Sequence, residues 1–585
     1  MATPSSFPFA LTGDPLIDAA THGYYWAVDS SRTIRWSVSN GLLGEYWISP
    51  GAVASQMSLI FDSVSYYANV NFVYTGAYSS PIWAAPYSDV TISLSGAALI
   101  FPSSSMWGRA VFPGADYNEH YYAGAPGDVF LNVNSQANYL PSYEPGSAGY
   151  FLFLHEIGHA LGLKHPHDDG GTGRPTLSDI GLSYMDHDWF TIMSYEDDYN
   201  YNSISWDPAT PMLMDVIALQ YLYGKNMQTN AGNSTHELSI HGMYETRWDA
   251  SGNDTIDVSG TNQGWVLVLP DAAVSDLVDT KAGVAMLLAE ATSPSPTTFY
   301  WLAGDYENAS GSDYDDIITG SSHANWLSPN GGSDIVYGGA GDDTFVNIAG
   351  LDTFHGGEGN DTLWVNLQAA HTKFAKLRGN SFLIKDPAGN MAICRDIETL
   401  RFSDAAAKAS DLQIYGGIDA ELVQIYIAAF RRAPEKDGYN YWAQQKAAHG
   451  LQAVADTIFS LDIVKAIYPT TQSANAFVTA IYQNVFNKAP DTDGLAYWAG
   501  ELAKKSRGQL VIDMTTAALG VADGVDGKDF FQNRVDWAIF STGYLTAQNL
   551  EATPSKLTTL TDTVGSDAEQ LLTLVGQVDS GLIFA

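Results

Sequence analysis

The 585-residue sequence holds a single cysteine, Cys394. An intramolecular disulfide is therefore impossible, and a zinc site built on several thiolates is excluded. Positive charge is scarce as well: 27 Lys and Arg stand against 65 Asp and Glu, a formal net charge of −38. A surface of that sign repels nucleic acid and anionic lipid and draws cations, so nucleic acid is not an expected partner. No apolar run reaches the ~18 residues needed to cross a bilayer, and no membrane span is expected. The opening MATPSSFPFALTGDPL lacks both a basic start and a long apolar core, so it does not read as a cleavable secretory signal. Apolar side chains are plentiful at 45%, enough to build cores, and the length implies about three or four domains.

Three regions follow one another. Residues 1–235 read as mixed α/β. Ile34, Trp36 and Val38 alternate in a strand over Thr33–Ser39, while Met57, Ile60, Phe61, Val64 and Ala68 keep helical spacing. Further strands are expected at NVNFVYT, Asp89–Ser95 and Gly127–Ser135, and helices at Tyr150–Leu163 and Pro211–Gly224. Residues 236–412 turn rich in Gly, Asp and Asn. From Gly311 they fall into six nine-residue windows whose sixth positions are Asp316, Asn325, Asp334, Asp343, Asp352 and Asp361. The eighth positions are Ile318, Leu327, Val336, Phe345, Phe354 and Leu363, and an isolated earlier copy, DASGNDTID, carries Asp254 and Ile256. Residues 413–585 are helical in pattern and duplicated: IYIAAFRRAPEKDGYNYWAQ returns as IYQNVFNKAPDTDGLAYWAG, a helix–turn–helix unit used twice.

The chemistry concentrates in FLFLHEIGHALGLKHPHDDGG, Phe151–Gly171. His155 and His159 are one helical turn apart on one face, so both imidazoles can reach one ion at the ~2.0–2.1 Å that zinc requires. Glu156 beside them can take a proton from a bound water. Gly162 lets the chain leave the helix and Pro166 prevents its continuation, so His165 can return to the same ion. Three neutral nitrogen donors leave a coordination position open, the mark of a catalytic rather than a structural zinc.

HEIGHALGLKH resembles the extended motif H-E-x-x-H-x-x-G-x-x-H of the metzincin proteases. TIMSYED resembles their Met-turn, with Met193 as an apolar support, and the nonapeptides resemble the RTX calcium repeat G-G-x-G-x-D-x-U-x. In this order the motifs resemble the serralysin family of secreted zinc proteases over residues 14–404. With the helical pattern of the last region, the resemblance implies a multidomain fold: an α/β metzincin catalytic domain (1–235), a parallel β-roll of RTX repeats (236–412) and, from that pattern, an all-α C-terminal domain (413–585). It implies one zinc on His155, His159 and His165, Glu156 as general base, and Tyr195 as both a weak extra ligand and a donor to the oxyanion; a packed core tyrosine is the plainer alternative. Gly108, Arg109, Ala110 and Val111 resemble the edge strand that pairs with a peptide substrate, or form an ordinary edge.

Several structural calcium ions are implied between windows two apart, pairing Asp316 with Asp334, Asp334 with Asp352 and Asp343 with Asp361. The two complete copies add Gly338, Gly339, Gly341 and Gly356, Gly357, Gly359, and Asp254 a further ligand. Asn325 leaves its window weak. HPHDDGG departs from the family, which has Gly where His167 stands. The segment before the catalytic domain leaves room for only a short propeptide.

The end, QVDSGLIFA, resembles the uncleaved signal of type I secreted RTX proteins, and otherwise reads as an ordinary helix end. The expected partners are protein or peptide substrates and a type I ABC exporter, with the protein extracellular and monomeric. The helical duplication resembles the DUF4214 modules of bacterial surface proteins. It keeps a second reading open, an S-layer or adhesion component with restricted or vestigial proteolysis. DTDG is rejected as a calcium loop, because EKDG in the other copy lacks its first Asp. Tyr441, Trp442, Tyr497 and Trp498 are expected to pack helices rather than stack on sugars.

Overall fold

The computed structural model describes residues 2–103, 105–114, 122–134, 143–196, 207–346, 349–377, 380–408, 417–521 and 526–579. The chain divides into two compact units, Met1–Ala309 and Ser310–Ala585.

In the first unit the alternation at Thr33–Ser39 gives strand β1, with Ile34, Trp36 and Val38 buried against helix α1, Pro50–Tyr67. Strands β2 (Asn71–Tyr78), β3 (Val90–Ser95), β4 (Gly108–Ala110) and β5 (Val129–Asn132) complete a sheet of order β2-β1-β3-β5-β4. All neighbours are parallel except β4, which runs antiparallel to β5 and forms one edge. Helix α2, Ala148–Ala160, packs on β4 and on α1, and its first turn is capped by Ser147, whose Oγ accepts from the Tyr150 N–H. Gly162 ends it at φ +106°, where a Cβ would run into the Tyr24 carbonyl. Helix α3, Leu213–Tyr223, is almost wholly buried.

The first strands of the Gly/Asp-rich region share this core. Tyr244, Trp248, Phe299 and Ala303 belong to the same apolar cluster as α1 and α2. The Tyr67 hydroxyl donates to the Thr246 carbonyl at 2.6 Å, and Trp301 Nε1 donates to the Trp189 carbonyl at 2.7 Å.

The second unit opens with the nonapeptides. Strands β6 (Ile317–Thr319), β7 (Trp326–Ser328), β8 (Ile335–Ala340), β9 (Thr344–Val346), β10 (Leu351–Glu358) and β11 (Thr362–Trp364) go alternately to two parallel sheets. One coil therefore takes 18 residues. In register, Ile318 stands over Val336, Phe354 and Cys394, while Leu327 stands over Phe345, Leu363 and Leu400. Each of these side chains is 0% exposed, so the eighth positions make two apolar columns and the lone cysteine is simply a member of one. Closing strands follow at Phe382–Lys385, Met391–Arg395 and Thr399–Arg401.

The sixth positions make the complementary polar ladder. Asp334 Oδ1 accepts from the Asp316 N–H at 2.8 Å, Asp343 Oδ1 from Asn325 at 2.8 Å, and Asp361 Oδ1 from Asp343 at 2.9 Å. Asp334 Oδ2, Asp343 Oδ2 and Asp361 Oδ2 are buried without a hydrogen-bond partner. Orphaned buried carboxylate oxygens in a glycine-turned backbone are the donor set that suits calcium. Gly357 and Gly359 take φ of +105° and +149°, and a Cβ on either would strike the backbone of the coil before.

The helical region is as expected, and it shares one core with the closing strands: Leu383, Met391 and Ile393 cluster with Ile425, Phe531 and Leu571. Arg395 Nη2 donates to Asn533 Oδ1 at 2.6 Å in the same contact. Both repeats end their first helix on a left-handed residue, Arg431 and Asn487. Gly438 and Gly494 make room for the Tyr426 and Tyr482 hydroxyls. Asp491 of DTDG serves as an N-cap, accepting from the Gly494 N–H. Trp442 is buried, whereas Tyr441 and Tyr497 are exposed.

Burial, then repulsion between neighbouring carboxylates, pushes Asp334 up to about 9 and Asp343 and Asp361 to about 7 and about 6, from an ordinary value of 3.8. Burial also raises Asp352 to about 7. With folded values above the unfolded one, the calcium-free fold keeps its full stability below about pH 4 and loses it as the pH rises through these values. Calcium-chelated protein should therefore melt at progressively lower temperature between about pH 4.5 and 7.5, and added calcium should flatten that slope and restore β-sheet ellipticity. A melting temperature indifferent to pH without calcium would contradict the carboxylate ladder.

Candidate metal centre

Helix α2 sets His155 and His159 on one face, and the turn at Gly162 brings His165 back to them. His165 Nε2 lies 3.0 Å from His159 Nε2 and 3.3 Å from His155 Nε2. Donor atoms bound tetrahedrally at 2.0–2.1 Å stand about 3.3 Å apart, so the spacing fits one zinc ion.

What aims the Nε2 atoms inward is a partner for every Nδ1. His155 Nδ1 bonds to the Ile192 carbonyl at 2.8 Å, His159 Nδ1 to the Leu163 carbonyl at 2.9 Å, and His165 Nδ1 to Asp168 Oδ2 at 2.7 Å. Each ring thus carries its hydrogen on Nδ1 and offers a lone pair from Nε2. Burial, aided by the nearby histidines, holds His155 down to about 3 and His159 well below its usual range, so both are neutral donors at pH 7.

The Ile192 carbonyl is itself held. Buried Asp215, at the start of α3, accepts from the Ile192 N–H at 2.7 Å and from the Thr191 hydroxyl at 2.7 Å. Met193 follows with its Sδ beneath Gly158, where a Cβ would come within 2.7 Å of the sulfur. The loop after His165 is tied down by buried Lys164, whose Nζ donates to the His165 and Asp168 carbonyls, and by Arg174, paired with Asp18 at 3.2 Å.

Glu156 lines the same cleft as the histidines, on the side toward β4. It is 5% exposed, and its Oε2 has no hydrogen-bond partner. Burial pushes its carboxyl up to about 8, while the Arg109 guanidinium and the Ala110 backbone pull it down. The carboxyl lies flat against Gly108: a Cβ there would sit 2.8 Å from Glu156 Cδ. A cleft opens on both sides of it. One lobe, about 520 Å³, is lined by Arg109, Ala110, Phe112, His159, His165 and Gly170. The other, about 650 Å³, has Met106, Trp107, Ala148, Phe151 and Leu152 in its wall. Val111 continues the edge beyond β4 but is buried, its N–H donating to the Asp128 carbonyl. Tyr195, 64% exposed, places its hydroxyl 2.8 Å from His165 Nε2.

Asp168 and Asp215 have no place in the sequence reading. Asp168 was signalled by its position three residues after His165; nothing in the spacing marked Asp215. A second metal-capable group joins Asp254 to His236 and Asp249, with ligand atoms within 4.8 Å of one another. Asp254 Oδ2 is buried and unpartnered, and burial raises the carboxyl to about 6.

Comparison with known proteins agrees with this geometry. Residues 118–220 match the family model described as metallo-peptidase family M12B, reprolysin-like. Residues 310–345 and 349–368 match the RTX calcium-binding nonapeptide repeat, and 455–518 match a domain of unknown function, DUF4214. Serralysin C of Dickeya chrysanthemi is 35% identical over 191 residues, 29% of this chain and 40% of that protein. Serralysin of Photorhabdus laumondii is 29% identical over 279 residues, 44% of this chain and 51% of the relative. Metallopeptidase AprA of Pseudomonas marginalis is 30% identical over 225 residues, 35% and 44% of the two chains. The matches thus span two-fifths to half the length of these relatives. The chain thus joins a segment similar to a reprolysin-like metallo-peptidase model to RTX nonapeptide repeats and a segment matching DUF4214.

Gly108→Ala should displace the Glu156 carboxyl without touching the histidines. We predict that the purified variant keeps its bound zinc, measured by elemental analysis, while peptide hydrolysis drops at least about a hundredfold. Loss of zinc together with activity would place Gly108 in the metal site instead.

Proposed function

We propose that the chain is a secreted, zinc-dependent endopeptidase that cleaves internal peptide bonds of proteins. The observation that carries this reading is the convergence of three Nε2 atoms beside a buried carboxylate with one unpartnered oxygen, in an open cleft.

His155, His159 and His165 would hold the ion. When bound, zinc supplies Lewis acidity, polarising a carbonyl and acidifying a water. The protein's own residues do the rest. Strand β4, at the sheet edge, offers backbone groups on which an extended peptide can lie as a further strand. Glu156 takes a proton from the attacking water as the new C–O bond forms. It then passes that proton to the amide nitrogen as the C–N bond breaks, leaving a carboxylic acid and an amine. Tyr195 is placed to donate its hydroxyl hydrogen to the oxyanion of the tetrahedral intermediate. Met193 is a support below the helix and touches no reacting atom.

The nonapeptide unit would take up calcium outside the cell, where the ion is abundant, after passage through a type I exporter. No described helix is long and apolar enough to cross a membrane. Leu582, Ile583 and Phe584 of the proposed export signal lie outside the described residues. The helical segment would serve attachment at the cell surface.

Hydrolysis of denatured casein tests the reading. Wild type should be active, a chelated sample inactive and restored by zinc, and Glu156→Gln slower by about 10²–10⁴-fold with its zinc retained. A zinc-loaded wild type that spares casein would instead support a restricted processing or adhesion role.

A further inference from the structure

Tyr195 poses a problem of positioning. Its ring is 64% exposed, so burial in the core does not fix it, yet its hydroxyl sits at the metal-facing nitrogen of His165. What holds it is a cluster of rings, with His155 stacked on it at 5.6 Å and His165 and His167 nearer. The Tyr195 ring lies 4.5 Å from that of His165 and 4.8 Å from that of His167, measured between centroids. His167 in turn stacks on His165 at 5.2 Å, with planes 6° apart. His167 is the residue that departs from the family pattern, and its side chain is anchored on the far side: Nδ1 lies 3.4 Å from Asp186 Oδ2. The other oxygen of the same carboxylate, Asp186 Oδ1, accepts from the Ser194 hydroxyl at 2.7 Å, one residue before Tyr195.

Asp186 therefore ties together two loops, the one leaving the third histidine and the one carrying the methionine turn. We propose that His167 and Asp186 form a clasp that sets the position of Tyr195 over the metal site. His167 is a positioning residue: it acts through the Tyr195 ring, and it limits how far that ring can swing. Planar rings in contact bias a surface side chain toward one orientation. An exposed tyrosine without such contacts would sample several rotamers and present its hydroxyl only part of the time. The clasp rests on the protease reading for its purpose, and its geometry can be tested apart from catalysis.

The test uses full-length, zinc-loaded protein as wild type, His167→Ala, His167→Phe and Asp186→Asn. Two quantities are measured: the rate of Tyr195 nitration by tetranitromethane, followed by peptide mass spectrometry, and kcat and KM on a fluorogenic peptide. His167→Ala and Asp186→Asn should speed nitration of Tyr195 several-fold at unchanged zinc content. They should also lower kcat about tenfold with KM within about twofold, less than the full loss of an oxyanion donor. His167→Phe, which keeps the ring contact, should recover most of both. Nitration unchanged in both His167→Ala and Asp186→Asn overturns the clasp. So does His167→Phe behaving like His167→Ala. If every protein, wild type included, fails to cut peptides while the nitration pattern holds, the clasp stands and the protease reading falls.

Discussion

An imidazole can present one nitrogen to a metal only when its other nitrogen is already engaged, and the first unit is organised around that constraint. The three engaging groups come from three separate places in the chain: the Ile192 carbonyl, the Leu163 carbonyl and the Asp168 carboxylate. Each depends on something further away. Ile192 is held by Asp215 from α3, Leu163 is reached only because Gly162 turns the chain, and the Asp168 loop is fixed by Lys164 and Arg174. Two neutral carbonyls and one carboxylate also make the three ligands unequal. The one held by a carboxylate, His165, is also the one Tyr195 approaches.

In the second unit the same problem is solved with the opposite charge. The nonapeptide coil buries six apolar side chains in two columns, a core one residue wide. So thin a core cannot offset the burial of a ladder of carboxylates in which Asp334, Asp343 and Asp361 each keep one buried oxygen without a donor. The coil is thus built to be completed by a cation, and the large negative charge of the chain is the sequence-level trace of that design. The helical segment makes a second core with the closing strands, in which Met391 and Ile393 cluster with its apolar side chains.

Much of this was legible from spacing. The i, i+4 histidines, the Gly162 turn and the 18-residue coil follow from helix and strand periodicity, which need only local sequence. Asp316, Asp334 and Asp352 fall into one ladder because two nonapeptides make one turn. The partners of Nδ1 were not legible, for two of them are backbone carbonyls, which every residue has. Asp215 was hidden for a related reason: it reads as one polar residue in an otherwise apolar helix, and only the tertiary fold brings it to Ile192. Gly108 read as a strand residue because nothing local shows that Glu156 will lie against it.

The two cation sites respond to acid in opposite senses. Burial keeps His155 neutral down to about pH 3, so protons compete poorly for that metal ligand over the physiological range. Burial and repulsion raise the ladder carboxylates, so protons compete well for calcium there and can partly take its place. Glu156 sides with the ladder: its buried carboxyl is readily protonated, and only a nearby dication restores it as a base. Mild acid therefore favours a folded calcium-free coil while it disarms the proposed general base. Neutral pH without calcium does the reverse, leaving a chemically competent centre on a chain whose second unit is strained by its own charge. Both requirements are met together only at neutral pH with both cations present, conditions found outside a cell rather than within it.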